Sequence, residues 1–236
     1  MNFLEGIKNL ARVFLGLLFP AACLVCGKED TYLCSMCAAK LPRLENQRCI
    51  RCQEPSPFGK THPTCRSRDF ADGSISALNY KDPRVLKIIK VFKYNFVSDL
   101  SIPLAVAMIE AAKNQGLTEY FKGFTIVPVP LHRKRHNWRG FNQAELLSDM
   151  LSLSLGIPVN KTLVTRQKST KPQVKLSAVK RKKNMENAFS LLGSPANKKI
   201  ILVDDVITSG STLNELAKLL KKQKAAEVWA LTVAHG

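Results

Sequence analysis

Two adjacent carboxylates followed by a hydroxyl-rich loop form the stretch of this sequence that is best suited to chemistry. The acids are Asp204 and Asp205, and the loop occupies residues 208–212. Carboxylates can accept hydrogen bonds from a ribose diol or approach a bound Mg²⁺, whereas backbone N–H groups at the start of a helix suit a phosphate. The combination predicts a site for a ribose 5-phosphate. The predicted phosphate-binding residues are Thr208, Ser209, Gly210, Ser211 and Thr212.

The segments on either side of this loop determine where it lies. An uninterrupted apolar run at residues 200–203 predicts a buried parallel strand that ends at the acids. Leucines at helical spacing predict an amphipathic helix over residues 214–224. The loop would then lie at the carboxyl end of a strand, where open α/β sheets bind their ligands. An ordinary turn with Ser211 as the N-cap of the helix is the alternative interpretation.

Strand and helix patterns alternate along the chain from about residue 70. We predict strands of one parallel sheet at residues 73–80, 124–130, 188–192, 198–203 and 227–233. Helices are predicted from Asp82-Pro83 onward, at residues 102–112 and at residues 144–155. In the first of these helices the basic residues, Lys93 among them, are expected to face solvent. The alternation predicts an α/β protein.

The stretch from Val203 to Thr212 resembles the motif with which type I phosphoribosyltransferases bind 5-phosphoribosyl-1-pyrophosphate (PRPP). It differs from both the Walker A loop and the Gly-x-Gly-x-x-Gly dinucleotide fingerprint. The resemblance implies that the paired acids hold the ribose hydroxyls and that the loop holds the 5-phosphate. It also implies a Rossmann-like α/β fold with a parallel sheet, and PRPP bound together with Mg²⁺.

Eight potential metal ligands near the N-terminus form four pairs, and two residues separate the members of each pair. Seven thiolates and one imidazole are the number that two tetrahedral Zn²⁺ sites require, and sites filled by protein ligands are structural. Pairing in sequence order would divide the ligands after Cys37, but an interleaved pairing stays open. The ligands are Cys23, Cys26, Cys34, Cys37, Cys49, Cys52, His62 and Cys65.

Two features of the N-terminal region bear on the location and organisation of the protein. Cysteines in metal-binding spacing favour a reducing compartment, so we predict a cytoplasmic protein. Apolar residues before Cys23 recur at helical spacing and are too few to span a bilayer, which predicts an amphipathic helix and no transmembrane segment. We therefore divide the chain into residues 1–69, with this helix and a double zinc-binding domain, and residues 70–236, with a phosphoribosyltransferase-like domain.

Positive charge is concentrated in segments that could contact polyanions. Lys and Arg number 36 against 18 Asp and Glu, which gives a net charge of +18. A cationic loop at residues 128–145 would leave a strand at the same sheet edge as the acid pair. Arg139 is its preferred contact for pyrophosphate because a guanidinium can bind two oxygens. Residues 161–183 have only basic charges, which fits either a solvated linker or a loop that contacts nucleic acid. The resemblance to phosphoribosyltransferases implies that this loop corresponds to the flexible lid that covers PRPP. The predicted nucleic-acid contacts are Lys180, Arg181, Lys182 and Lys183.

Four blocks of the sequence resemble the ComF family, phosphoribosyltransferase-like proteins linked to natural competence and DNA uptake. The blocks are the paired cysteines after an apolar helix, residues 127–143 with the segment Arg-Gly-Phe-Asn-Gln, residues 173–184, and residues 203–212. The sequence departs from the family at His62, where a cysteine is more usual. The resemblance implies that single-stranded DNA and a competence helicase or translocase are partners.

Two functions fit these features. In the first, the protein is an enzyme that displaces pyrophosphate from C1 of PRPP with an unidentified acceptor, and it contributes charge neutralisation and positioning. In the second, it is a non-catalytic accessory of DNA uptake that holds single-stranded DNA, and its PRPP site is a sensor or a relic. Trp138 and Phe141 are the aromatic residues of the basic loops, so few side chains there can stack on bases.

Overall fold

The computed structural model describes residues 21–94, 97–167 and 188–236. The chain divides into two compact units, one that ends at Leu41 and one from Pro42 to Gly236. The predicted N-terminal helix, the predicted lid beyond residue 167 and the basic residues 180–183 lie outside the described residues. The predicted boundary near residue 70 stays a prediction, and in the structure residues 42–69 belong to the same unit as the sheet. In the described part of the chain, no helix is both long and apolar enough to cross a bilayer.

Strands and helices alternate through the second unit, whereas the first contains only the short helix α1 (Ser35–Ala39) among its described residues. The strands are β1 (Gly73–Asn79), β2 (Phe124–Pro128), β3 (Val164–Arg166), β4 (Phe189–Leu191), β5 (Lys199–Ile207) and β6 (Glu227–His235). The helices of the second unit are α2 (Pro83–Tyr94), α3 (Ser101–Asn114), α4 (Arg133–Arg139), α5 (Gln143–Leu155) and α6 (Ser211–Lys222). Short 3₁₀ turns lie at Pro57–Gly59, Pro63–Cys65 and Ser98–Leu100.

The core of the second unit is a four-stranded parallel sheet in the order β1-β6-β5-β2. The central strands are apolar over long runs because both of their faces are covered, and residues 200–203 and 228–234 are buried. Helix α3 packs against β1 and β6, α5 packs against β2 and β5, and α6 packs against β6. This arrangement confirms the predicted Rossmann-like α/β fold with a parallel sheet.

Strand β5 continues beyond the predicted end at Val203. The neighbouring strand β6 extends to His235, and the two strands pair from Asp204 opposite Thr232 to Ile207 opposite His235. The acids therefore belong to the strand, because hydrogen bonding to β6 continues after the apolar pattern stops. Helix α6 begins at Ser211, three residues earlier than the predicted start at residue 214. The phosphate loop is correspondingly short and runs directly from β5 into α6.

Two other predictions about the second unit were wrong. The segment at residues 188–192 does not join the parallel sheet, because β4 pairs with β3 as an antiparallel two-stranded ribbon. Its apolar residues indicated a strand but could not indicate the partner strand. The cationic stretch predicted as a loop contains helix α4, whose seven residues run from Arg133 to Arg139. The cations of this stretch are therefore arranged on a helical turn.

Candidate phosphoribosyl site and metal centres

The acid pair lies at the carboxyl end of β5, where the parallel sheet was predicted to bind its ligand. Asp205 is buried, with 8% of its surface exposed, and its Oδ1 lies 2.9 Å from Nζ of Lys93 in α2. Asp204 is partly buried, and its Oδ1 accepts a hydrogen bond of 2.8 Å from the backbone N–H of Asp205. The two carboxylates are thus held in place before any ligand binds.

Lys93 is the site residue that sequence reasoning missed, since it was expected to face solvent. It follows Val85 and Ile89 at steps of four, so it continues the buried stripe of α2, and this spacing was the available signal. Burial disfavours its charged form, but the carboxylate of Asp205 raises the pKa of Lys93 above its ordinary value. Lys93 therefore stays charged, and its ammonium group holds the side chain of Asp205 in place.

Asp204 ionises less readily than an ordinary aspartate. Burial and the neighbouring carboxylate of Asp205 raise the pKa of Asp204 to about 7, against the opposing influence of Lys93 and Arg166. At neutral pH Asp204 is therefore protonated in part of the molecules. Asp205 instead has the ammonium group of Lys93 beside it. Asp204 is therefore a hydrogen-bond acceptor whose charge responds to pH.

The phosphate loop has the geometry of a helix N-terminus. Gly210 has φ +67°, a left-handed conformation that favours glycine, and it caps α6, so Ser211 is the first helical residue and not the N-cap of the alternative interpretation. The hydroxyl oxygens of Ser209 and Ser211 lie 2.7 Å apart. The first N–H groups of α6 have no partner within the helix, which makes them available to an anion.

Arg139 lies at the end of α4 with 7% of its surface exposed. Its Nη1 donates to Oε1 of Gln143 at 3.1 Å, and its guanidinium lies over the ring of Tyr94, 5.0 Å from the ring centre. Its Nε has no hydrogen-bond partner among the described residues. Tyr94 adjoins Lys93 in sequence, so Arg139 and the acid pair are linked through the last turn of α2. The contacts described for Arg139 are with Gln143 and Tyr94 and do not include the phosphate loop. The role of Arg139 toward pyrophosphate therefore stays a prediction.

The segment from Arg139 to Gln143 builds the junction between α4, α5 and the sheet. Gly140 adopts φ +69°, which turns the chain between the helices. Asn142 caps α5, since its Oδ1 accepts from the N–H of Ala144 at 3.1 Å, and its Nδ2 donates to the carbonyl of Val129 at 3.1 Å. Gln143 donates to the carbonyl of Phe92 at 3.3 Å. These residues therefore position Arg139 against α2.

The eight predicted metal ligands form two groups, and within each group the ligand atoms lie within 4.8 Å of one another. The groups follow sequence order, with Cys23, Cys26, Cys34 and Cys37 in one and Cys49, Cys52, His62 and Cys65 in the other. In the first group Sγ of Cys34 lies 3.8 Å from Sγ of Cys23 and 3.7 Å from Sγ of Cys26. These are the edges of a tetrahedron around Zn²⁺ with Zn–S bonds of about 2.3 Å.

The second group has an imidazole whose orientation suits a metal. Nε2 of His62 lies 3.1 Å from the carbonyl oxygen of Pro55, and Nδ1 lies 3.3 Å from Sγ of Cys52. When Nε2–H donates to Pro55, the lone pair of Nδ1 is directed toward the thiolates, which is the usual outer hydrogen bond of a metal-binding histidine. The histidine that departs from the family pattern therefore fits a zinc ligand.

One thiol in each group is prepared for metal binding. Burial opposes ionisation of Cys23, but the backbone N–H groups of Cys26 and Cys34 lower the pKa of its thiol to about 6. Burial likewise opposes ionisation of Cys49, and the N–H groups of Cys52 and His62 lower its pKa to about 7. Zinc binds thiolates, so both groups fit the ion.

Comparisons with known proteins cover both regions. Residues 14–67 match a family model described as a double zinc ribbon domain, and residues 139–236 match one described as a phosphoribosyl transferase domain. The chain is 37% identical over 244 residues to competence protein F of Haemophilus influenzae, covering 99% of this chain and 100% of that protein. It is 33% identical over 242 residues to the DNA utilization protein YhgH of Salmonella typhimurium, covering 98% of each. It is 29% identical over 219 residues to competence protein ComFC of Bacillus subtilis, covering 87% of this chain and 85% of that protein.

These similarities extend along almost the whole chain, not along one domain alone. The double zinc ribbon match includes both groups of metal ligands, and the phosphoribosyl transferase match includes Arg139, the acid pair and the phosphate loop. The resemblance inferred from the sequence motifs is confirmed, and the chain belongs to the ComF family, that of competence protein F and its relatives.

Proposed function

We propose that this protein binds PRPP with Mg²⁺ at the carboxyl end of β5 and transfers its phosphoribosyl group to an acceptor. The observation that carries the proposal is the continuous acid pair and phosphate loop, with Lys93 2.9 Å from Asp205. Asp204 and Asp205 would accept hydrogen bonds from the ribose hydroxyls, and residues 208–212 would donate theirs to the 5-phosphate. The ligand would therefore be held at both ends of its ribose ring.

Transfer breaks the bond between C1 of the ribose and the pyrophosphate oxygen, and a new bond forms between C1 and the acceptor. The protein contributes position and charge to this step. Arg139, with its unpartnered Nε, supplies a cation for the leaving pyrophosphate. The carboxylates of Asp204 and Asp205 are oxygen donors that could hold Mg²⁺ bound together with PRPP, and the ion would neutralise phosphate charge there.

Calorimetric titration of the whole protein with PRPP and Mg²⁺ tests the binding part of this proposal. We expect saturable binding with one PRPP per chain, competition by ribose 5-phosphate and no binding of a ribose without phosphate. If PRPP produces no heat of binding with the wild-type protein and ribose 5-phosphate shows no competition, the proposed PRPP site is wrong. Release of pyrophosphate followed by phosphorus NMR, with nucleobases added as acceptors, then distinguishes an enzyme from a PRPP sensor.

A second candidate function is the binding of single-stranded DNA in natural competence. The observation that favours it is an exposed aromatic pair, Tyr94 and Trp138, whose side chains are 43% and 57% exposed and whose ring centres lie 6.0 Å apart. Exposed rings beside a cation, here Arg139 over the ring of Tyr94, are suited to stack on unpaired bases. The relatives are named for competence and DNA utilization. A cytoplasmic location and a competence helicase or translocase as a further partner belong to the same proposal.

The tryptophans of the chain allow a direct test of this candidate. There are two, and Trp229 is buried with 1% exposure, so Trp229→Phe leaves the exposed Trp138 as the sole indole reporter. We expect oligothymidine to quench the fluorescence of this variant and an abasic oligonucleotide of equal length to quench it far less. Equal quenching by both oligonucleotides, or none by either, would count against a stacking surface at Tyr94 and Trp138.

A further inference from the structure

The second metal knuckle, residues 49–54, forms part of the wall beneath the phosphate loop. Ile50 lies between the ligands Cys49 and Cys52 and is 1% exposed. It belongs to the same buried apolar cluster as Ile207 and Leu213, the residues that border the phosphate loop on either side. A side chain from between two metal ligands therefore completes the core under the loop.

Ile50 also meets the loop backbone directly. A methyl group placed on Gly210 would lie 3.3 Å from Cγ1 of Ile50 and 3.3 Å from its carbonyl oxygen. That carbonyl oxygen is itself held by the knuckle, since Nε2 of Gln53 donates to it at 2.9 Å. The left-handed turn at Gly210, which presents the N-terminus of α6, thus rests on a peptide group whose position the knuckle determines.

Hydrogen bonds attach the knuckle to the sheet on both sides of Ile50. Before it, the side chain of buried Gln47 donates to the carbonyl of Ser76 in β1 at 3.0 Å and accepts from its N–H at 2.9 Å. After it, the N–H of buried Thr61 donates to the carbonyl of Asp72 at 2.8 Å. The knuckle is therefore anchored at both ends. A change in its shape between these two points would displace Ile50.

We propose that Ile50 is a positioning residue that couples zinc in the second metal group to binding of the 5-phosphate by the loop. This inference rests on the proposed PRPP site. Zinc holds the knuckle closed, the closed knuckle places the side chain and carbonyl of Ile50, and these support Gly210 in the phosphate-binding conformation. Coupling of this kind is reciprocal, so a ligand with a 5-phosphate also retains the zinc.

Substitutions within one buried cluster test the contact. Ile50→Ala should weaken ribose 5-phosphate about tenfold while pyrophosphate changes less than about twofold, because only the 5-phosphate needs the loop. Leu220→Ala is the matched control, since Leu220 is buried in the same cluster but lies near the far end of α6. It should destabilise the protein without this selective loss, and Ile50→Val should restore most of the affinity. Equal loss of ribose 5-phosphate in the Ile50→Ala and Leu220→Ala variants would overturn the proposal.

Zinc release from the wild-type protein is a second measurement that needs no variant. With a colorimetric chelator in excess, saturating ribose 5-phosphate should slow release of one of the two zinc ions about fivefold or more and leave the other unchanged. If calorimetry shows that the protein binds ribose 5-phosphate but the rate of zinc release is the same with and without it, the coupling is overturned and the PRPP site is not. A wild-type protein that binds neither PRPP nor ribose 5-phosphate would instead remove the proposed function itself.

Discussion

The metal knuckle at residues 23–28 and the one at residues 49–54 close with the same pair of backbone hydrogen bonds. The N–H of the first cysteine donates to the carbonyl five residues later, at 2.8 Å for Cys23 and 2.9 Å for Cys49. The residue after the second cysteine donates back to the first, at 2.9 Å in both knuckles. That residue has positive φ in each case, +77° at Gly27 and +66° at Gln53.

The surroundings of the two knuckles differ although their backbones agree. The residue after the first cysteine is partly buried Leu24 in one knuckle and fully buried Ile50 in the other. A Cβ added at Gly27 would have no neighbour within 4 Å among the described residues, whereas Gln53 donates a hydrogen bond to the carbonyl of Ile50 beside the phosphate loop. The same metal-binding turn can thus either organise its own ribbon or also form a wall of a ligand site. The residue enclosed between the two cysteines determines which of these roles the turn has.

Removal of one ligand from each knuckle should separate these roles most strongly. Cys49→Ser should destabilise the second unit by about 4 kcal/mol or more and abolish PRPP binding, because structural zinc sites contribute free energy of folding directly. Cys26→Ser should also lose one zinc, but we expect it to unfold only the ribbon around α1 and to keep PRPP affinity. Elemental analysis measures the zinc content, circular dichroism measures unfolding, and calorimetry measures PRPP affinity. Equal loss of PRPP binding in both variants would contradict the comparison.

Neutralising Asp205 should affect the ligand site and not the metal groups. Asp205→Asn leaves partly buried Lys93 beside an amide and removes an acceptor for the ribose, so PRPP affinity should fall by about 1.5–3 kcal/mol. The zinc content should stay at that of the wild type. Asp149→Asn is a suitable control, because Asp149 forms an exposed ion pair with Lys161 at 2.8 Å. If calorimetry finds the same PRPP affinity in the two variants, the assignment of Asp205 to the ribose is wrong.

The raised pKa of Asp204 predicts that PRPP affinity depends on pH. Its folded-state value of about 7 exceeds the ordinary 3.8, so the folded protein retains a proton that the unfolded chain releases. Stability contributed by this group therefore declines as pH rises from about 4 to about 7. Binding of a ribose diol needs the ionised form, so affinity should increase by about tenfold in total between about pH 6 and 8. Asp204→Asn removes this dependence and leaves the titration of PRPP itself, and identical pH profiles would refute the assignment.

Exchange of the residue with positive φ should have the smallest effect. Gln53→Gly relieves a left-handed conformation, worth about 1 kcal/mol, but loses the hydrogen bond to the carbonyl of Ile50, which is worth about as much. We expect thermal unfolding to change by less than about 1 kcal/mol. Gly27→Gln in the other knuckle places a side chain in a left-handed conformation and should destabilise its ribbon by about 1 kcal/mol. A loss above about 2 kcal/mol in Gln53→Gly would show that the bond to Ile50 dominates.

Features encoded within a few residues could be predicted from the sequence. The acid pair and phosphate loop occupy consecutive residues, and the four spaced ligand pairs specify two clusters whose grouping then followed sequence order. Parallel strands were recognisable because burial on both faces requires continuous apolar runs. Such signals are local, so they survive without knowledge of the tertiary structure.

Features that depend on distant residues could not be obtained in this way. The ion pair of Lys93 with Asp205 joins α2 to β5 across nearly half of the chain, and no local pattern indicates the partner. The continuation of β5 through Asp204 depends on the length of β6, and the antiparallel pairing of β4 depends on β3. Sequence spacing around Cys49 predicted a zinc ligand but gave no sign that Ile50 belongs to the core of the sheet.

The place of Ile50 in that core has a consequence for dividing the chain. A fragment that begins at residue 70 would lack the side chain that fills the space between Ile207 and Leu213, and it would also lack the partners of the Ser76 backbone. Water would reach apolar surface directly beneath the loop that is proposed to hold the 5-phosphate. We expect the smallest portable PRPP-binding fragment to begin near Pro42, so that gain or loss of the second ribbon in the history of the family would have altered the binding fold itself.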